Sequence, residues 1–261
     1  MAHVARKRFG QHFLCDRSVI EAIASAIDPK PGELLVEIGP GLAALTDALL
    51  RRVPTLTAIE IDRDLAARLR RRYGDRLELI EADVLAVDLR ALAAQRRMRL
   101  VGNLPYNISS PLLVRLLDFR DCVADQHFML QKEVVDRIVS AHGCAAYGRL
   151  GVLLQAYYEV EALFDVPPEA FDPPPRVDSA VVRMLPRQQP PELEPPVLSE
   201  LLAAAFGKRR KMLRGTLLPW LAARGVDAQT LIEPTARAED VPVEVYVELA
   251  SRLRSQRLAR S

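Results

Sequence analysis

Five short apolar runs, each followed by a segment with helical periodicity, constrain the fold of this 261-residue chain more than any other feature. Strands that alternate with helices predict a parallel sheet, because each helix returns the chain to the same edge by a right-handed crossover. We therefore predict an open α/β sheet. The predicted strands are 34–38, 56–61, 77–80, 98–101 and 127–131, and the predicted helices are 43–52, 64–72, 87–94, 111–117 and 133–141.

The pattern changes beyond the fifth strand. Residues 151–166, "GVLLQAYYEVEALFDV", and 177–185, "VDSAVVRML", look extended and predict an antiparallel pair that closes the sheet. The stretch 186–196, "PRQQPPELEPP", holds five prolines and is typical of a linker. Apolar residues at i, i+3 and i+4 then predict a small helical domain. The expected parts are a sheet domain over 1–186, a linker over 187–196 and a helical domain over 197–261.

Cysteine and histidine usage argues against disulfides and metal sites. Cys15, Cys122 and Cys144 lie far apart and form no C-x-x-C pattern, and the four histidines show no ligand spacing. The first residues lack the apolar core of a signal peptide, and no apolar run approaches the ~18 residues of a membrane span. We therefore expect a cytoplasmic protein with no metal and no membrane partner.

The net charge of +2 is small, so the distribution of charge is more informative than its sum. Basic residues concentrate near the N-terminus and in one later segment. The first group is Arg6, Lys7 and Arg8, and the second is Lys208, Arg209, Arg210, Lys211 and Arg214. Such runs are usually solvated faces, and the alternative is a contact with phosphates.

A glycine turn follows the first predicted strand, in "LLVEIGPGLAALT". Gly39 and Gly41 permit a tight strand-to-helix corner, and the helix that follows offers amide donors, although many corners without ligands use glycine in the same way. Glu60 follows 21 residues after Gly39, at the end of the second strand, where a carboxylate can accept both ribose hydroxyls. The alternative is an ordinary surface carboxylate. Together these residues predict a nucleoside site.

Two further carboxylates indicate which nucleoside. Glu37 lies two residues before Gly39, where it would repel a pyrophosphate and attract an ammonium group. Asp83, in "EADVL", follows the third strand and is placed for an adenine amine, although it could instead cap the next helix. S-adenosylmethionine carries an ammonium group, a ribose and an adenine. It is therefore the cofactor that we predict.

The fourth strand leads into "VGNLPYNIS", which places an Asn-x-Pro-Tyr pattern at the same edge. The lone pair of an adenine amine is conjugated into the ring, so attack on a methyl sulfonium requires it to be localised. The Asn103 side-chain oxygen and the Leu104 carbonyl can accept the two amine protons, while Pro105 fixes the backbone and Tyr106 can stack on the base. The alternative is a plain turn with an aromatic lid.

The chain resembles the KsgA family of small-subunit ribosomal RNA adenine dimethyltransferases over nearly its whole length. The ordered blocks include "KRFGQHFL", "VEIGPGLAALT", "EADVL", "VGNLPYNIS", "FMLQKEV", "FDPPPRVDSAVV" and "AFGKRRKMLRGTL". The resemblance implies a Rossmann-like S-adenosylmethionine-dependent methyltransferase sheet with a small C-terminal all-helical domain. It also implies dimethylation at N6 of two adjacent adenosines near the 3′ end of small-subunit rRNA, with a role in small-subunit biogenesis.

The resemblance also implies roles for individual residues. Phe171 would be a second aromatic that sandwiches the base against Tyr106, and the alternative is a loop phenylalanine that packs under prolines. Both basic groups would contact RNA in the 30S subunit or its precursor. By position, the cofactor contacts would be His12, Leu14, Gly39, Glu60, Asp83 and Asn103.

Three other functions stay open at this point: a macrolide-resistance methyltransferase that modifies large-subunit rRNA, a DNA adenine methyltransferase, and an assembly factor whose binding role dominates. The "NLPYNIS" block and the helical tail resemble the small-subunit branch more closely than the first of these. No obvious assembly element is present, so we expect a monomer.

Overall fold

The computed structural model describes residues 12–208, 211–228 and 230–259. Its elements follow the predicted alternation of strand and helix through the first half of the chain. The strands are β1 (Phe13–Leu14), β2 (Leu34–Ile38), β3 (Leu56–Glu60), β4 (Leu77–Glu81), β5 (Met98–Asn103), β6 (Val123–Gln131), β7 (Tyr158–Val166), β8 (Phe171–Asp172) and β9 (Ser179–Pro186). The helices are α1 (Arg17–Ile27), α2 (Ala44–Leu50), α3 (Arg63–Tyr73), α4 (Leu89–Ala93), α5 (Ser109–Leu116), α6 (Lys132–Val139), α7 (Arg149–Tyr157), α8 (Pro195–Phe206), α9 (Leu217–Ala222) and α10 (Val243–Leu258).

A seven-stranded sheet has the order β4-β3-β2-β5-β6-β9-β7. Strands β2 to β6 pair in parallel, which confirms the predicted α/β class. The chain order reverses between β2 and β5, and ligands of open α/β sheets bind at the carboxyl ends of strands beside such a reversal. Residues Val36 and Leu100 pair at this point and are fully buried, so the two strands that carry the reversal are fixed in the core.

The far end of the sheet is antiparallel. Strand β9 pairs with β6 in antiparallel register from Gln126 opposite Met184 to Gln131 opposite Ser179, and β7 lies beyond β9. The prediction for 151–166 was wrong in its first half, where α7 extends to Tyr157. This helix buries Val152, Leu153 and Leu154 in succession, and a segment that is apolar on all sides has no period that distinguishes helix from strand.

The chain forms two compact units. The first contains the chain up to Val135 together with Glu161–Pro186, and the second contains Asp136–Val160 and Arg187–Ser261. The second unit therefore includes residues 136–160, which the sequence-based prediction assigned to the sheet domain. Helix α8 begins at Pro195 because proline is well accommodated in the first turn of a helix, so the end of the predicted linker is helical.

The core of the second unit contains buried tyrosines whose hydroxyls donate to main-chain carbonyls. Tyr147 donates to Val241 at 2.9 Å, Tyr157 donates to Leu193 at 3.0 Å, and Tyr246 donates to Ala238 at 2.8 Å. A buried hydroxyl without a partner would cost free energy, so these bonds let large rings enter the core. Within the described ranges, no helix is long and apolar enough to cross a membrane.

Candidate active site

A cavity of about 230 Å³ opens in the first unit, where β2, β3, β4 and β5 end. The structure brings eleven of the predicted site residues to this one cavity. They are His12, Leu14, Glu37, Gly39, Gly41, Glu60, Asp83, Asn103, Leu104, Pro105 and Tyr106. The clustering follows from the topology, since the carboxyl ends of parallel strands meet at one edge of the sheet.

The glycine turn between β2 and α2 needs backbone conformations that most side chains avoid. Gly39 and Gly41 have φ values of +68° and +56°, and a Cβ on Gly41 would lie 3.2 Å from the Phe13 ring. Ala43 also adopts a positive φ, of 74°, at the position where a third glycine is often found. The turn therefore keeps its shape with alanine there, at a cost of roughly 1 kcal/mol.

Glu60 is fixed by main-chain amides at the end of β3. The Gly41 amide donates to its Oε2 at 3.1 Å and the Asp62 amide donates to its Oε1 at 2.9 Å. Each carboxylate oxygen can accept more than one hydrogen bond, so an oxygen bound by an amide can still accept from a ribose hydroxyl. Burial raises the pKa of Glu60, and hydrogen bonds from main-chain amides act in the opposite direction. The geometry therefore suits a carboxylate that holds a diol.

Glu37 is buried beneath the glycine turn, with 2% of its surface exposed. Its Oε2 accepts a hydrogen bond from the Thr46 hydroxyl at 2.7 Å. Burial raises the pKa of Glu37 to about 7, and the nearby charge of Glu60 acts in the same direction. A buried carboxylate without a cation costs free energy when ionised, so Glu37 is a natural partner for a cationic group in the cavity.

Because folding raises the pKa of Glu37, its contribution to stability is fully present below its ordinary value of 4.5 and is lost as the pH rises through about 7. We expect this group to lower the free energy of unfolding of the ligand-free protein over that range by on the order of 3 kcal/mol. The Glu37→Gln variant should show a shallower decline in chemical denaturation at a series of pH values. An equal decline in both proteins would contradict the assignment.

Asp83 follows β4 and is exposed at the cavity rim. Its Oδ1 accepts the Leu85 amide at 2.9 Å. That bond is the local turn contact expected from an aspartate that follows a strand. It leaves the second carboxylate oxygen for a ligand amine, so the structural and the functional interpretations are compatible.

Asn103 ends β5, and its side-chain amide is oriented by one specific contact. The Nδ2 group donates to the His12 carbonyl at 3.0 Å, which identifies the other atom of the amide as the free acceptor. Leu104 follows it, and its own amide donates to the Met129 carbonyl of β6 at 3.1 Å. Asn103 and Leu104, which carry the two predicted acceptors, are therefore each fixed by one hydrogen bond within the protein.

Tyr106 is half-buried in the turn between β5 and α5. Its ring stacks on the His12 ring with 5.6 Å between centroids and 27° between planes, and its hydroxyl lies 2.9 Å from the Ser179 Oγ. The His12 Nδ1 lies 2.9 Å from the Pro173 carbonyl. The Tyr106 ring therefore lines the same cavity as Asn103, and its role in base stacking stays a prediction.

Phe171 lies elsewhere. It pairs with Leu14 between β8 and β1, has 3% of its surface exposed and belongs to the hydrophobic core of the first unit. It is not among the residues that line the cavity. The structure therefore does not bring it beside Tyr106, and a role in base stacking requires the ring to leave this core.

The predicted RNA contacts divide between described and undescribed parts of the chain. Lys208, Lys211 and Arg214 are exposed in the second unit. The Arg214 amide donates to the Pro234 carbonyl at 3.0 Å, which ties this segment to a following loop. The other predicted contacts, Arg6, Lys7, Arg8, Arg209 and Arg210, lie outside the described residues.

Sequence reasoning missed three residues that shape the site. Thr46 holds Glu37, Ser179 contacts Tyr106, and Gly102 lets β5 approach β2 closely. A glycine inside a strand signals close backbone approach, so Gly102 could have been found from the sequence. Ser179 could not, because it meets Tyr106 only through the pairing of β6 with β9.

Comparison with known proteins assigns the family. The model of the family described as "Ribosomal RNA adenine dimethylase" matches residues 2–255. The chain is 60% identical to "Ribosomal RNA small subunit methyltransferase A" of Leptothrix cholodnii over 251 residues, which is 95% of this chain and 92% of that one.

Two solved structures share the fold. A dimethyladenosine transferase from Plasmodium falciparum has a TM-score of 0.81 at 23% identity and covers 94% of this chain and 98% of its own. The 23S rRNA methyltransferase ErmE has a TM-score of 0.70 at 26% identity, covering 93% and 99%. The fold and the matched length agree with the sequence-based expectation, and the chain belongs to the ribosomal RNA adenine dimethylase family.

Proposed function

We propose that this protein transfers methyl groups from S-adenosylmethionine to N6 of two adjacent adenosines in the 3′-terminal hairpin of small-subunit rRNA and dimethylates each. The observation that carries the proposal is the fixed orientation of Asn103, whose Nδ2 donates to the His12 carbonyl and leaves the side-chain oxygen as an acceptor. The 60% identical relative is a small-subunit rRNA methyltransferase by name.

The cavity suits S-adenosylmethionine in each part. Buried Glu37 matches the ammonium group, Glu60 matches the ribose diol, and the free oxygen of Asp83 matches the adenine amine. Leu14 of β1 and His12, the residue before this strand, also line the cavity. When bound, the cofactor supplies an electrophilic methyl group on sulfur.

The residues at the end of β5 would prepare the nucleophile. The Asn103 oxygen and the Leu104 carbonyl would accept hydrogen bonds from the two N–H groups of the adenine amine, which would localise its lone pair on the nitrogen with both N–H bonds intact. Acceptors aligned in advance act through position and electrostatics, so no strong base is needed to start the attack. Tyr106 stacks on the extruded base, and Phe171 adds a second ring only if it leaves the core.

Large-subunit rRNA is the substrate of the main alternative. ErmE, a 23S rRNA methyltransferase by title, shares the fold at 26% identity, whereas the small-subunit relative is 60% identical over 95% of this chain. The second comparison is much the closer one, so it favours the small subunit. An assembly factor would need only to bind the subunit and would have no use for the cavity. The acceptors at Asn103 and Leu104 beside the cavity therefore favour an enzyme.

We also propose the context of the reaction. The substrate would be rRNA within the 30S subunit or its precursor, met by a monomeric protein in the cytoplasm. The exposed Lys208, Lys211 and Arg214 would contact RNA phosphates together with the other predicted basic residues. Their segment would act as part of a separate RNA-contacting domain.

The decisive experiment incubates the protein and methyl-labelled cofactor separately with undermethylated small subunits, large subunits and duplex DNA. We expect label only in small-subunit rRNA, on two neighbouring adenosines, and mapping of the modified bases identifies them. Repeating the binding step at several salt concentrations measures the phosphate contacts. Label in large subunits or DNA, with none in small subunits, would refute the proposed substrate.

A further inference from the structure

We propose that Ser179 is a positioning residue for the reaction: it anchors the Tyr106 hydroxyl so that the Tyr106 ring is held ready to stack on the target adenine. The proposal rests on the stacking role proposed for Tyr106. It assigns a purpose to a buried side chain outside the predicted site and links the last part of the sheet to the RNA side of the cavity.

The two side chains differ in how firmly the fold holds them. Ser179 begins β9, is fully buried and lies in register with Gln131 of β6. The Lys132 amide donates to the Asp178 carbonyl at 2.9 Å, which extends the strand pairing past Ser179. Tyr106 lies in the turn after β5 and is only half-buried. The sheet is therefore the rigid partner, and the turn is the part that needs support.

The contact joins the outermost atom of Tyr106 to that rigid partner, with 2.9 Å between its hydroxyl oxygen and the Ser179 Oγ. A ring held at the Cα alone turns about two side-chain torsions, whereas a bond at the hydroxyl restricts both. Stacking uses the face of the ring and leaves the hydroxyl free for this purpose. The bond also satisfies the buried serine hydroxyl, which would otherwise lose its hydrogen bonding to water.

A purely structural role for Ser179 predicts different effects of its removal. If Ser179 only stabilised the fold, its removal would lower the melting temperature and weaken cofactor binding together. If it positions Tyr106, its removal affects mainly the use of RNA, because Glu37 and Glu60, two of the proposed cofactor ligands, are held by Thr46 and by main-chain amides rather than by Ser179. His12, which stacks on the Tyr106 ring, also has its own contact with the Pro173 carbonyl. The KM for RNA and the cofactor affinity therefore separate the two cases.

The test is a double-mutant cycle on the full chain with Ser179→Ala, Tyr106→Phe and the double variant, assayed on undermethylated small subunits. Each single variant should raise the KM for the subunit by about threefold to tenfold, the range for one lost hydrogen bond, with little change in cofactor affinity. The double variant should be no worse than either single one, because both remove the same bond.

Two further variants make the result decisive. Ser179→Thr keeps the hydroxyl, so its KM for the subunit should stay close to the wild-type value. Ser251→Ala removes an ordinary hydrogen bond to the Val247 carbonyl within α10 and should behave as wild type. Additive effects in the cycle, or equal losses in cofactor affinity and melting temperature, would overturn the proposal. If Ser179→Ala fails to fold, a comparison of Tyr106→Phe with Ser179→Thr still tests the proposal, because only Tyr106→Phe removes the bond between the two side chains. Wild-type labelling in the same assay reports separately on the proposed function.

Discussion

Replacement of Asn103 by alanine is expected to reduce methyl transfer by about 10²–10³-fold, the loss typical when one preorganised electrostatic partner is removed. Alanine deletes the acceptor that would hold one amine proton, and nothing else at residue 103 replaces it. It also deletes the donor to the His12 carbonyl, so a smaller loss of cofactor affinity, below about tenfold, should accompany it. Single-turnover transfer and equilibrium binding of the cofactor measure the two effects.

The Asn103→Asp variant is a second test because it keeps an acceptor oxygen at this position, while it loses the donor to His12 and adds a negative charge. It should retain more activity than alanine, and its cofactor affinity shows the cost of the lost donor and the added charge. Binding to small subunits should persist in both variants, since the proposed phosphate contacts lie elsewhere. Methylation at the wild-type rate in Asn103→Ala would contradict the assignment of this residue and the mechanism built on it.

The cofactor side of the site could be predicted because its signals are local. A buried strand, a glycine turn and a carboxylate at a strand end each occupy a few neighbouring positions, and parallel topology then forces them together. Glu37, Glu60 and Asp83 are far apart in sequence yet line one cavity for this reason. The turn is recognisable despite the alanine at position 43, because Gly39 and Gly41 remain in it, both with positive φ.

The parts that were missed depend on long-range packing. The strand predicted over 151–157 is helix α7, since a fully buried segment shows no period. Gly151 fits there because a Cβ would lie 2.2 Å from the Arg137 carbonyl oxygen, a contact that no sequence window reveals. Phe171 was expected beside Tyr106, but its pairing with Leu14 places it in the core. Contacts between segments distant in sequence, in helix packing for Gly151 and in antiparallel pairing for Phe171, determine these positions.

Replacement of Gly102 by alanine is expected to be among the most damaging substitutions outside the ligand contacts. Its Cβ would lie 2.4 Å from the Ile38 carbonyl oxygen of β2, closer than real Cβ contacts occur. The clashing atom belongs to the main chain of a central strand, so movement of a side chain cannot relieve the clash. We expect a loss of about 3 kcal/mol in the free energy of unfolding, at the upper end of overpacking effects.

The same clash should also reduce activity in the molecules that remain folded. Gly102 precedes Asn103, and its separation from Ile38 sets the distance between the acceptor pair and the glycine turn after β2. Displacement of a catalytic group by ~1 Å can cost about 10²-fold in rate, so transfer by folded Gly102→Ala protein should fall by a similar factor. Gly215→Ala is the control, because a Cβ there meets nothing within 4 Å. Chemical denaturation and single-turnover transfer measure both effects, and wild-type values in Gly102→Ala would show that β2 and β5 can separate without harm to the site.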